Sequence, residues 1–168
     1  MQLLLIRHGI AEDAELFARA GGRDEDRPLT EAGLRKMRRI AQGLSLQAED
    51  LERLYASRLV RARQTAELVA AAYGGLPIEE RAELSPYGEL PPLLDWLATL
   101  PPQGVVAVVG HEPQLSRLCG LLLCGEAHSL LRLKKGAAVL IDFPAAPAAG
   151  AGVLHWALTP RQLRALGG

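Results

Sequence analysis

Positions 3–6 read Leu-Leu-Leu-Ile without a polar interruption, and Arg7-His8-Gly9 follows at once. An apolar run with no alternation is a strand buried on both faces, and such strands belong to sheets that carry helices on either side. Positions 105–109, a Val-rich run bounded by Gly104 and Gly110, form a second strand of this kind. Elsewhere apolar residues recur at helical spacing. Leu34, Met37, Ala41 and Leu44 follow Thr30 as N-cap, and Ala62, Thr65, Ala66, Val69 and Tyr73 follow Ser57 as cap. Leu93, Leu94 and Leu97 follow Pro91-Pro92, and Leu115, Leu118, Cys119 and Leu122 follow Pro113. Short strands are expected at 54–56, 77–80, 137–143 and 153–158, with a last helix starting at Thr159-Pro160. Strands alternating with helices predict an α/β fold: a single-domain, three-layer α/β/α sandwich over residues 1–168 with a mostly parallel central sheet. No clear helix separates the last two strands, so an antiparallel edge is expected.

With 168 residues, 49% of them apolar, the chain can build one core. Its formal net charge is zero, which argues against a general polyanion-binding surface and hence against nucleic acid as a partner. Any affinity for phosphate has to come from a local cluster of cations, and these are mostly arginines, the lysines being Lys36, Lys134 and Lys135. Cys119 and Cys124 lie five apart in one expected helix, with neither disulfide nor metal-ligand spacing. That usage predicts a reducing compartment. The N-terminal apolar run is too short for a signal peptide and no stretch reaches transmembrane length, so a cytoplasmic location away from membranes is expected.

Three strand-to-helix junctions carry chemistry. They are Arg7-His8-Gly9, the segment from Ser57 through Arg58, Arg61 and Arg63 to Thr65, and Gly110-His111-Glu112-Pro113. In an open α/β sheet, ligands collect beyond the carboxyl ends of the strands. Two imidazoles and two or three guanidiniums converging there would need a dianion such as phosphate to balance them.

These segments resemble the histidine phosphatase (phosphoglycerate-mutase-like) superfamily. The matching pieces are Leu5 to Gly9, Arg27-Pro28-Leu29-Thr30-Glu31-Ala32-Gly33, Ser57 through Gln64-Thr65-Ala66, and Val109-Gly110-His111. The short length and the tail Trp156-Ala157-Leu158-Thr159-Pro160 resemble the SixA-type phosphohistidine phosphatases. The resemblance implies that His8 is the nucleophile, forming a phosphohistidine intermediate, and that Arg7, Arg61 and His111 bind the phosphoryl oxygens. His111 would serve as an imidazolium, and no cofactor or metal would be required. The second ring nitrogen of His8 should donate to an acceptor that fixes the tautomer.

An ester leaving group also needs a general acid. Glu83 is the candidate and Glu89 the second choice. A protein phosphohistidine, as on a phosphotransfer domain, depends less on such an acid, because its imidazole can leave protonated by solvent. Only about two dozen residues lie between the third strand and Val105, leaving little chain for a lid, so an open crevice within reach of a phosphoprotein is expected. The phosphohistidine of a protein is therefore the expected substrate. A small-molecule phosphomonoesterase and a non-catalytic phosphoprotein-binding module are the alternatives. Arg58 and Arg63 are expected on the helix surface, Glu12 and the acidic run Asp24-Glu25-Asp26 as solvated loop charges, and His128 and His155 as structural residues. The oligomeric state is not legible.

Overall fold

The computed structural model describes residues 1–168 and contains one six-stranded sheet. The strands are β1 (Gln2–Arg7), β2 (Leu51–Ala56), β3 (Ile78–Glu80), β4 (Val105–Gly110), β5 (Ala138–Asp142) and β6 (Val153–Leu158). The helices are α1 (Ala14–Arg19), α2 (Glu31–Ser45), α3 (Val60–Ala72), α4 (Leu90–Ala98), α5 (Gln114–Cys124) and α6 (Pro160–Leu166). Short 3-10 turns occupy Asp24–Asp26 and Ala82–Leu84. The sheet order is β3-β2-β4-β1-β5-β6. The first four strands run parallel, whereas β5 pairs antiparallel with both β1 and β6. The mostly parallel sheet with an antiparallel edge is the expected architecture.

Side-chain alternation along β1 divides the core in two. Leu4 and Ile6 enter a cluster with Met37, Ile40 and Leu44 of α2, Ala62, Ala66 and Val69 of α3, and Leu163 of α6. Leu3 and Leu5 enter the opposite cluster with Leu93 and Leu97 of α4 and Leu115, Leu118 and Leu122 of α5. Both halves of the apolar run are thus covered, which is why it shows no polar alternation. The chain leaves β1 through α2 on one face to reach β2, and leaves β4 through α5 on the other face to reach β5. Neighbouring strands whose connections depart to opposite faces open a crevice at their carboxyl ends.

The start of α2 closes one side of that crevice. Thr30 caps the helix by accepting from the Gly33 backbone N–H at 2.9 Å, as the sequence predicts. A Cβ on Gly33 would lie 2.0 Å from the Ile10 carbonyl oxygen, so only glycine lets the helix sit this close to the segment that follows His8. Two sequence readings need correction. β2 begins at Leu51 rather than at 54, its first turn hidden from a hydrophobicity reading by the exposed Glu52 and Arg53. Ser57 does not occupy the cap position of α3; that position is Leu59, and the Ser57 hydroxyl is engaged elsewhere. The two cysteines are free, Cys119 buried and Cys124 exposed. No helix is long and apolar enough to cross a membrane.

Gly33→Ala is expected to lower unfolding stability by about 1–3 kcal/mol through this backbone overlap. Urea denaturation of the variant beside wild type measures it, and a loss below the error of the fit would mean that the helix start yields freely.

Candidate active site

Register builds the site. β1 and β4 pair in parallel with Leu5 opposite Val108, Ile6 opposite Val109 and Arg7 opposite Gly110. One residue further on, His8 and His111 stand side by side, with ring centroids 5.0 Å apart and planes inclined at 52°. The His8 backbone N–H donates to the Gly110 carbonyl at 3.1 Å, and the Ser57 N–H donates to the Val109 carbonyl at 3.0 Å. The ends of β1, β4 and β2 are therefore flush. On the other side, the Gly136 N–H is shared between the carbonyls of Arg7 and His8, each at 3.1 Å. Arg61 reaches the same notch from the first turn of α3. The structure thus brings together His8, Arg7, Arg61 and His111. His8, His111 and Arg61 are 5%, 2% and 4% exposed, and Arg7 is half-buried.

His8 is held in one tautomer. Its Nδ1 lies 2.7 Å from the Gly9 carbonyl oxygen, an acceptor, so Nδ1 carries the hydrogen and Nε2 keeps its lone pair. Nε2 has no hydrogen-bond partner in the protein. Gly9 is itself anchored, donating its N–H to Thr65 Oγ1 at 3.0 Å, while the Thr65 hydroxyl donates to the Arg61 carbonyl at 2.7 Å. Thr65, read from sequence as part of an apolar helix face, thus ties the loop that follows His8 to the helix bearing Arg61. Its neighbour Gln64 accepts from the Leu29 N–H at 2.7 Å and holds the segment before α2. The Ser57 hydroxyl lies 2.9 Å from His111 Nε2. Gln114 donates to the carbonyls of Glu83 and Gly88, at 2.7 and 3.0 Å, and clamps the segment after β3 to α5. Ser57, Gln64 and Thr65 stand inside the quoted motif segments and Gln114 just beyond them, but none of these supporting roles is legible in the sequence.

Burial dominates the electrostatics. It pushes the His8 imidazole down to about 3; the Gly9 hydrogen bond opposes this, and the charges of Arg61, Arg7 and Lys135 reinforce it. Burial likewise lowers His111, helped by His8 and Arg61. Both rings are neutral in the free protein at neutral pH; at His111 the charge of Asp24 opposes the desolvation without outweighing it. Arg7 and Arg61 are also lowered by burial, which Glu112 opposes at Arg7 and Asp24 at Arg61. Three polar atoms around the notch are buried without a partner, namely Arg7 Nε, Arg61 Nε and His111 Nδ1. A set of unsatisfied donors around an open imidazole lone pair suits a tetrahedral oxyanion. No three His, Cys, Asp or Glu side chains come together with metal-binding geometry.

Asp24 departs from its expected role as a solvated loop charge. Its carbonyl accepts from Arg61 Nη1 at 2.8 Å and its carboxylate from Arg61 Nη2 at 3.0 Å, with Arg27 on the other carboxylate oxygen. Desolvation acts to raise its pKa, but the two arginines outweigh it and hold Asp24 below the ordinary carboxylate value. Glu83 sits in the turn after β3 with its carboxylate on Arg81 Nη2 at 2.8 Å, and Arg81 stacks over Trp96 at 4.6 Å. Partial burial acts to raise its pKa, yet its own backbone N–H and Arg81 bring it below the usual range. A proton donor needs the reverse shift. Glu89 stands at the cap position of α4 and makes no side-chain capping bond. Arg58 is exposed, Arg63 pairs with Glu67 and Glu80 on the surface, His155 pairs with Asp142, and His128 lies beside Glu126.

Residues 3–90 match the model of the histidine phosphatase superfamily (branch 1), more than half of the chain. The chain belongs to the histidine phosphatase superfamily. It is 33% identical over 168 residues to the phosphohistidine phosphatase SixA of Escherichia coli, covering 98% of this chain and 97% of that one. It is 37% identical over 137 residues to an uncharacterised protein of Picosynechococcus, covering 80% and 81%. A solved structure of the protein histidine phosphatase SixA complexed with tungstate superposes with a TM-score of 0.82 at 29% identity, over 97% of this chain and 99% of that one. Membership in the superfamily and likeness to SixA make this protein a phosphatase, with the SixA-type fold.

Two consequences are measurable. Because burial holds both histidines of this phosphatase neutral, the unfolded chain binds protons that the native state does not once pH falls below about 6.5. Stability should therefore fall as pH is lowered from 6.5 towards 3, by up to about 1.4 kcal/mol per pH unit for each ring. Urea titrations at pH 7 and 5 should show a smaller loss for the His8→Gln/His111→Gln variant than for wild type; equal losses would contradict neutral native imidazoles. Second, Asp24→Asn should free the Arg61 guanidinium, lowering the inhibition constants of phosphate and vanadate by about 3- to 10-fold. Weaker inhibition in this variant would mean that Asp24 is needed to aim Arg61.

Proposed function

We propose that this chain removes the phosphoryl group from a phosphohistidine on a protein, through a covalent intermediate on His8 and without a metal or cofactor. The observation that carries the reading is the locked tautomer: the 2.7 Å bond from His8 Nδ1 to Gly9 leaves Nε2 as a free lone pair amid unsatisfied cationic donors. That SixA of Escherichia coli is a phosphohistidine phosphatase, and that a SixA has been solved with the oxyanion tungstate, supports it.

His8 Nε2 attacks phosphorus in line with the substrate's P–N bond. That bond breaks, its electron pair stays on the substrate imidazole, and this nitrogen takes a proton from solvent. Water then attacks phospho-His8, the new P–N bond breaks, and phosphate leaves with the imidazole restored. Arg7 and Arg61 hold the equatorial oxygens, Arg61 exchanging Asp24 for phosphate. The arriving dianion raises the pKa of His111, so the imidazolium forms when substrate binds rather than before. Since the leaving nitrogen is protonated by solvent, the Arg81-bound Glu83 has no part in the proton transfer.

The test is a panel of a phosphohistidine-bearing protein and phosphate monoesters at matched concentration. The phosphohistidine protein should have the higher kcat/KM, by about tenfold or more, and His8→Ala should lose about 10³-fold or more. Radiolabelled phosphate should be trapped on His8, and Glu83→Gln should change the phosphohistidine rate by less than about threefold. The opposite ranking, with loss of activity in Glu83→Gln, would make the protein a phosphomonoesterase, and binding without turnover would make it a phosphoprotein-binding module.

A further inference from the structure

The chain's three lysines are distant in sequence, yet Lys36, Lys134 and Lys135 line one groove together with Arg7, Arg161 and Arg164. The groove has a volume of ≈ 670 Å³; its remaining lining is Ile10, Thr159 and Pro160, and it contains no carboxylate. Its cations come from the end of β1, from α2, from the turn before β5 and from α6. Lys36, Lys134, Lys135 and Arg161 are exposed. None of the six belongs to an ion pair; Arg19 with Glu15 and Arg63 with Glu67 are paired, while the other unpaired arginines, such as Arg38, Arg53 and Arg117, lie outside the groove. The balancing acids include Glu49, Asp50, Glu52 and Asp142 at the opposite end of the sheet, where β1 and β4 begin. A chain of zero net charge thus holds six unpaired cations in one carboxylate-free groove beside the notch.

Arg7 belongs to both the notch and the groove, and Lys135 is close enough for its charge to act on His8. We propose that this groove docks an acidic segment of the protein that carries the phosphohistidine. This rests on the phosphohistidine reading above and adds the character of the partner's surface. A single exposed ion pair is weak, so the groove selects a ligand offering several carboxylates at once, spaced along an extended surface. A nucleic acid is a poorer match, since the groove has no aromatic side chain on which a base could stack. The same charge steers encounter and brings the phosphoryl group to the notch beside it.

The test uses two fluorescent peptides centred on a histidine, identical except that flanking glutamates in one are glutamines in the other. Fluorescence anisotropy at low salt should show wild type binding the Glu peptide about tenfold or more tightly than the Gln peptide. That preference should vanish at high salt and in a folded Lys36→Glu/Lys134→Glu/Arg161→Glu variant, with folding checked by circular dichroism. Equal affinities in wild type, a preference that survives in the variant, or tighter binding of a single-stranded oligonucleotide of equal charge would each overturn the proposal. The phosphorylated peptides separate the two readings. Hydrolysis with no charge preference sinks the docking groove alone, whereas selective binding with no hydrolysis of either peptide upholds the groove and sinks the phosphohistidine reading.

Discussion

The parallel pairing of β1 with β4 is the constraint on which the site depends. Setting Arg7 opposite Gly110 places the two histidines at the same height, one residue beyond the last paired position. A slip of one residue would send every side chain of β1 to the other face and carry Arg7 and His8 out of step with His111. The fit of particular side chains guards against that slip, since Leu3 and Leu5 are packed into one core and Leu4 and Ile6 into the other. Packing on both faces thus fixes the chemistry at the sheet's edge to within a residue.

What gathers there is costly to bury. Two imidazoles and two guanidiniums share a largely desolvated notch, and the protein answers the cost differently for each type. The imidazoles give up their protons, as the depressed His8 and His111 show. The arginines cannot do so, and Asp24 and Glu112 supply the opposing charge. The same arrangement prepares the site for a dianion. In the proposed reaction, phosphate takes the place of Asp24 on Arg61 and allows His111 to take up a proton.

Precision comes from residues with no chemistry of their own. Thr65 links Gly9 to Arg61, Gln64 holds Leu29, and Gln114 grips the carbonyls of Glu83 and Gly88. These bonds tie the segment after β1 to the helix after β2, and the segment after β3 to the helix after β4, while the Ser57–His111 contact links the two pairs. Gly33 contributes by absence, since its missing side chain is the space occupied by the Ile10 carbonyl.

The local order of apolar and polar residues was enough to place most strands and helices, though not the start of β2, because a buried strand and an amphipathic helix each leave a periodic trace. It also marked the three strand-to-helix junctions that hold His8 and Arg7, Arg61, and His111, while the choice of Arg61 over Arg58 and Arg63 came from the resemblance to the superfamily. Tertiary structure alone decided three things. Ser57 serves His111 rather than the helix behind it, Asp24 occupies Arg61 rather than solvent, and His111 is neutral in the free protein. It also drew three scattered lysines into one groove that a net charge of zero conceals. Pairing and desolvation act between segments remote in the chain, and no local pattern of residues records them.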